Sequence, residues 1–190
     1  QVYVKHFFDS VSLSFYLPFG GPVSLADIGS GAGFPGIPLK ILYPGLKLTL
    51  IDSLQKRVRF LTFLTDCLGL TDVVCLHGRA EELARDPFLR DAFDVVTARA
   101  VARLNVLNEF CLPFVKRGGI FAAMKGSNPE DELTEAIPSI KALNARLESV
   151  HRLELPQEMG ERHIVLLKKV GETPKKFPRK PGVPLKQPIV

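Results

Sequence analysis

Leu25-Ala26-Asp27-Ile28-Gly29-Ser30-Gly31-Ala32-Gly33-Phe34-Pro35-Gly36 is the stretch on which the fold turns. An apolar run ends in an acid, glycines follow at every second position, and a helical pattern begins at Ile37. This spells a strand, a tight glycine turn and a helix start. Glycine permits positive φ and lets the backbone approach a ligand with no Cβ in the way. At the carboxyl edge of a parallel α/β sheet, such a turn lies where nucleotide-like ligands bind. Gly31-x-Gly33-x-x-Gly36 also fits the dinucleotide template, which alone is a weak signal.

Outward from this stretch, strand patterns alternate with helical ones. The strands expected are 24–29, 47–51, 73–77, 93–98 and 118–124, and the helices 35–43, 53–68, 80–86, 104–113 and 129–144. Such alternation indicates a parallel sheet with right-handed crossovers. Two more strands, Arg146 to Leu155 and Arg162 to Lys169, follow without a helix between them. They predict a hairpin turning at Gln157-Glu158-Met159-Gly160. The result is an α/β chain with a mostly parallel seven-stranded sheet ending in an antiparallel hairpin. That is the layout of a class I, Rossmann-like S-adenosylmethionine-dependent methyltransferase; a dinucleotide dehydrogenase would continue with a sixth parallel strand. The spacing Asp27-x-Gly29-x-Gly31-x-Gly33 favours the same cofactor. Asp52-Ser53 is expected to cap a helix starting at Leu54, and Gly69 to end it in the left-handed conformation. Pro129 with Glu130, Asp131 and Glu132 suits a helix's first turn.

The 190 residues suffice for one α/β domain. With 46% hydrophobic and 24% charged residues, the composition is that of a soluble globular chain. No apolar run approaches the ~20 residues of a membrane span, and the first residues lack a signal-peptide layout. Cys67, Cys75 and Cys111 fit no zinc or redox motif; they read as reduced, buried packing residues of a cytoplasmic protein. The net charge is +5 and the pI about 9.2, a tilt toward an acidic partner. Lys168 to Val190 carries seven Lys/Arg against the single acid Glu172, together with five prolines, and the rest is close to neutral. Residues 171–190 therefore read as a basic, extended tail near polyproline II, neither helix nor inner strand, mobile or laid on the surface.

Gly29, Gly31 and Gly33 are candidates to line the amino-acid end and the adenosine of S-adenosylmethionine. Asp52, 19 positions after Gly33 at the end of the second strand, is placed to accept hydrogen bonds from ribose hydroxyls. Ala80 and Glu81, after the third strand, are candidates to read the adenine amine. After the fourth strand comes Thr97-Ala98-Arg99-Ala100-Val101-Ala102-Arg103. An arginine stands where amino methyltransferases carry an Asn/Asp-Pro-Pro-Tyr type sequence, so an amine gripped in that way is not the acceptor. Arg79, Arg99 and Lys125 all sit just past strand ends and are the candidates for catalytic positioning, with arginine able to bridge phosphates or clamp a carboxylate. Lys56, Arg57, Arg59, Arg103, Lys125, Arg162, Lys175, Lys176, Arg179 and Lys180 are candidates for contacts with RNA. His6 reads as structural, and no metal constellation is apparent.

Together these residues resemble the glucose-inhibited division B family, also called RsmG, the bacterial 16S ribosomal RNA guanine-N7 methyltransferases. The resemblance is carried by His6-Phe7-Phe8-Asp9-Ser10, Asp27 through Pro38, Asp52-Ser53-Leu54-Gln55-Lys56-Arg57, Arg79-Ala80-Glu81, Thr97-Ala98-Arg99-Ala100 and Lys125-Gly126. The tail Thr173-Pro174-Lys175-Lys176-Phe177-Pro178-Arg179-Lys180-Pro181-Gly182 is similar to the Gram-positive branch. The resemblance implies methyl transfer to N7 of a guanine (position 527) in the decoding-region loop of 16S rRNA, within the small subunit. It implies cofactor contacts at Gly29, Phe34, Ala80, Glu81 and Arg99. Family members carry further helical residues before the His6 motif, so residues 1–20 read as the remnant of a longer segment, followed by a methyltransferase domain over 21–170. A monomer without membrane contact is expected. A small-molecule methyltransferase and a non-catalytic RNA-binding module are the alternatives.

Overall fold

The computed structural model describes residues 2–99, 102–126 and 129–190. Its centre is a seven-stranded sheet in the order β3-β2-β1-β4-β5-β7-β6. The strands are β1 (Ser24–Ile28), β2 (Lys47–Asp52), β3 (Val73–His77), β4 (Phe93–Arg99), β5 (Val115–Lys125), β6 (Ala145–Glu154) and β7 (Glu161–Lys169). β1 to β5 pair in parallel, and β7 inserts antiparallel between β5 and β6. The expected fold class and hairpin are both present.

The strands read as continuous apolar runs because both faces are covered. Alternate side chains go to opposite layers. Ala26, Val96, Phe121, Ala123, Val165 and Leu167 face one cluster, and Leu25, Val95, Ala122, Met124, Ile164 and Leu166 the other. The first is closed by α5 (Leu104–Cys111) and α6 (Glu130–Ala142), through Leu107, Phe110 and Ile140. The second is closed by α2 (Gly36–Leu42) and α3 (Gln55–Cys67), through Ile37, Leu39 and Leu61, and by the N-terminal Leu13, Leu17 and Phe19. The N-terminal residues form a π-helical turn (Tyr3–Phe8), α1 (Asp9–Val11) and a 3-10 turn (Ser12–Phe15).

Several boundaries differ from expectation for local reasons. α4 (Ala80–Leu83) is a single turn rather than 80–86. α5 ends at Cys111 and tightens into a 3-10 turn (Leu112–Phe114), since Pro113 has no N–H to continue the ladder. β5 starts three residues early, through Gly118 and Gly119; a Cβ on Gly119 would lie 2.7 Å from the Asp94 carbonyl oxygen. Asp52 does not cap α3: the N-cap is Leu54, without a side-chain cap. Gly69 does adopt positive φ (62°) after the helix. Cys111 is buried, but Cys75 is half-buried and Cys67 exposed on the solvent side of the last turn of α3, contrary to the packing role expected of all three.

The tail is the largest correction. It lies on the α5 side of the sheet and contains a helical turn, α7 (Val183–Lys186). Gly182 turns into it at φ 82°, and Pro184 sits in the first turn, where a missing N–H costs no helical bond. Lys169, fully buried, starts the docking: its Nζ reaches Asp91 Oδ1 (2.6 Å), Thr173 Oγ1 (2.7 Å) and the carbonyls of Leu112 and Val115. Phe177 is buried in the α5 layer.

Gly36 sets how closely α2 packs on the sheet. A Cβ there would lie 2.7 Å from Leu50 Cδ2 and 3.0 Å from Asp27 Oδ2. Gly36→Ala is therefore expected to lower stability by about 1–2 kcal/mol despite alanine's better helix propensity. A shift of the denaturation midpoint at constant slope checks it.

Candidate functional site

The glycine turn brings β1 to a loop in which Gly29, Gly31 and Gly33 all take positive φ (71°, 59° and 94°). The three are not equivalent. A Cβ on Gly31 would meet nothing nearer than 3.9 Å, so this backbone is open. A Cβ on Gly33 would strike Ile37 Cδ1 at 2.5 Å, so that glycine serves the packing of the loop on α2. Ser30 is buried and ties the loop to β2: its Oγ donates to the Asp27 carbonyl and accepts from the Ile51 N–H.

A cavity of about 300 Å³ opens at the carboxyl ends of β1, β2 and β3. Of the cofactor candidates, Gly29, Asp52, Ala80 and Glu81 line it and Gly31, Gly33, Phe34 and Arg99 do not; Arg79 lines it as well, with Ile28, Ile51, Phe110 and Leu185 as apolar walls. Asp52 is buried; its Oδ2 accepts from the Gly31 N–H (3.0 Å) and, more weakly, from Arg57 Nη1 (3.4 Å), while Oδ1 accepts from the Leu54 N–H (2.9 Å). A carboxylate offers about four acceptor sites, so Oδ1 keeps one open, and the second site of Oδ2 is held only by the long contact to the half-exposed Arg57. Glu81 is buried as well; its Oε1 accepts from Arg79 Nη2 and from the Gly182 N–H of the tail.

A second cavity of about 320 Å³ lies at the ends of β4, β5 and β7, lined by Lys5, His6, Asp9, Arg99, Lys125 and Arg162 among others. Arg99 is central. Its guanidinium lies 5.3 Å from the Phe34 ring centroid, donates to Asp9 Oδ2 (3.2 Å) and to His6 Nδ1 (3.2 Å). His6 in turn packs against Phe34 at 5.3 Å. Asp9 is buried; its Oδ1 accepts no hydrogen bond and has Arg162 Nε at 3.5 Å. Lys125 reaches the cavity wall, but its ammonium is held by Glu132 Oε2 (2.8 Å) and the Ala102 carbonyl. Ala100 and Val101 of the same loop lie outside the described residues.

The remaining basic candidates divide. Lys56, Arg59, Lys175, Lys176 and Lys180 are exposed. Arg103 pairs with Glu135 at 2.7 Å on the surface. Arg179, expected at RNA, grips the buried Glu109 with Nε and Nη2 (3.0 and 2.6 Å) and anchors the tail instead. No group of three or more His, Cys, Asp or Glu side chains among the described residues is arranged to hold a metal. No helix among them is long and apolar enough to cross a membrane.

A sequence profile described as rRNA small subunit methyltransferase G (GidB) matches residues 1–165. The chain belongs to this family. "Ribosomal RNA small subunit methyltransferase G" of Staphylococcus epidermidis is 53% identical over 190 residues, covering the whole chain and 79% of that protein. Its counterpart in Bacillus cytotoxicus is 52% identical over 189 residues, with the same shares. Among solved structures, a SAM-dependent methyltransferase from Aquifex aeolicus superposes with a TM-score of 0.65 at 18% identity, covering 89% of this chain and 93% of that one. The [4+2]-cyclase SpnF superposes at 0.67 with 16% identity, covering 87% and 81%. At such identities the likeness concerns the fold alone, and a cyclase among the neighbours makes the point.

Asp27, the acid that opens the glycine motif of this family member, has a role the sequence reading left out. It is buried beneath the loop, its Oδ2 accepts from the Gly36 N–H (3.0 Å) and its Oδ1 accepts nothing. Burial pushes its pKa up to about 7, against the lowering effects of the Gly36 hydrogen bond and Arg99. The folded state therefore binds a proton that the unfolded state releases near 3.8, and this group's contribution to stability falls as pH rises from about 4 to 7. Asp27→Asn removes that slope. The melting temperature of the variant minus that of the parent is expected to rise steadily between pH 5 and pH 7; a pH-independent difference would contradict it. Phe110 and Leu185 were likewise not singled out, because neither carries a local pattern that points to a site.

Proposed function

We propose that the chain transfers a methyl group from S-adenosylmethionine to N7 of a guanine in a loop of small-subunit ribosomal RNA. The observation that carries this is the pair of cavities flanking the glycine loop, one with buried carboxylates and apolar walls, the other lined by cations around a single buried carboxylate. The first fits the cofactor. Open backbone at Gly31 and the acceptor sites of Asp52 suit ribose hydroxyls; Ala80, Glu81 and the apolar walls suit adenine. The bound sulfonium would supply an activated methyl group.

The second cavity suits the acceptor. Guanine N7 keeps a free lone pair at neutral pH, so no general base is needed and the chain's work is alignment of the two reactants. Asp9 ties Arg99 and Arg162 to one another at the wall of this cavity and so fixes the guanidinium groups that face an incoming base. Arg99 lines this cavity and lies against Phe34 of the glycine loop. The base must leave its stack to enter, which favours a single-stranded loop. Exposed Lys56, Arg59, Lys175, Lys176 and Lys180 are then available to RNA phosphates, and binding weakens steeply with salt.

Arg99→Ala is expected to lower kcat/KM on small subunits lacking the modification by about tenfold, roughly 1.4 kcal/mol of alignment. Unchanged turnover would remove Arg99 from the mechanism. Absence of transfer by the parent chain, with cofactor and RNA both bound, would leave a non-catalytic binding module.

A further inference from the structure

The C-terminal segment reaches the cofactor cavity. It leaves the sheet at Lys169 and is fastened by Thr173 to Asp91 (2.6 Å), by Pro178 to Arg85 and by Arg179 to Glu109. It then returns to the cavity at the ends of β1–β3, where the Gly182 N–H donates to Glu81 Oε1 (3.0 Å) and Leu185 lines the cavity together with Ile28 and Ile51. Gly182 and Glu81 are 101 residues apart in sequence. Leu185 is 53% exposed, with part of its surface on the cavity. The profile match ends at residue 165, so this strap lies beyond the region the family profile covers.

We propose that the strap is the fourth wall of the adenosine pocket. Leu185 supplies an apolar face for the adenine ring. The Gly182 N–H, together with Arg79, occupies Oε1 of Glu81 and so orients the carboxylate; among the described residues Oε2 accepts no hydrogen bond and is left for the exocyclic amine. The basic segment that reads as an RNA arm is thus also a cofactor-binding element. This rests on the cofactor assignment above.

Calorimetry on the full chain tests it, with S-adenosylhomocysteine and its inosine analogue, in which a carbonyl replaces the amine. Leu185→Ser is expected to weaken both ligands about fivefold, by loss of apolar cover, with their ratio unchanged. Truncation after Lys180, which keeps the Phe177 and Arg179 anchors, is expected to weaken S-adenosylhomocysteine by more than tenfold and to shrink its advantage over the analogue. Circular dichroism and melting of both variants establish that they fold. Parental affinities in both folded variants would overturn the proposal, and would do so most clearly if RNA affinity fell at the same time. If the parent chain binds neither ligand, the cofactor assignment itself fails.

Discussion

Asp52→Ala is expected to weaken S-adenosylmethionine binding by about a hundredfold or more. The carboxylate is buried at the cavity wall and already orders the loop through the Gly31 N–H and the start of α3 through the Leu54 N–H. Each ribose hydroxyl bonded to a charged group contributes about 1.5–3 kcal/mol, and two such bonds exceed a factor of one hundred. Two effects separate in the variant. Loosening of the glycine loop lowers thermal stability without ligand, whereas loss of the ribose contacts shows only in binding. Asp52→Asn divides them, since an amide oxygen still accepts from Gly31 but no longer offers a charge. Calorimetry should rank parent, Asn and Ala in that order. Equal affinity for all three would place the ribose elsewhere.

Lys169→Ala should produce the largest loss of stability, about 3–5 kcal/mol. A fully buried ammonium with four partners leaves behind two carbonyls, a hydroxyl and part of the Asp91 carboxylate when removed. Burial lowers the lysine's pKa while Asp91 opposes the shift, so the charge is kept by its partners rather than by solvent. Thr173 loses its hydrogen bond to Lys169 in the same step. The strap should therefore become a cleavage site after Val170 in limited proteolysis, with cofactor affinity falling alongside. Lys169→Met keeps the aliphatic volume and separates packing from charge. A variant as stable and as protease-resistant as the parent would show that the strap is held without Lys169, by Phe177 and by the Thr173, Pro178, Arg179 and Gly182 contacts.

The parts of the molecule governed by local pattern were legible in the sequence. The glycine turn, the alternation of strands and helices, and the terminal hairpin each announce themselves within a dozen residues. Asp52 was placed correctly at the end of β2, but only part of its bonding was foreseen: it accepts from the Leu54 N–H at the entry to α3, and its bond to the loop N–H of Gly31 was not expected. Lys125 reached the expected edge but meets Glu132, which pattern alone does not reveal. The strap was hidden for a deeper reason. Prolines and lysines describe how a segment behaves in isolation, and here Arg179 and Gly182 find partners 70 and 101 residues away. Tertiary contacts lay on the surface a segment whose composition left that and mobility both open, and they fold a helical turn that its prolines argued against. The same holds for Asp9, whose pairing with Arg99 spans 90 residues.

The central claim concerns where the methyl group goes. Small ribosomal subunits lacking the modification, incubated with the chain and S-adenosylmethionine and then analysed by nuclease mapping with mass spectrometry, read this directly. A single guanine in a loop of the subunit RNA, methylated at N7, is the expected product. A methyl group on an exocyclic amine or a ribose hydroxyl, or on no RNA position while a small molecule is methylated, would contradict it.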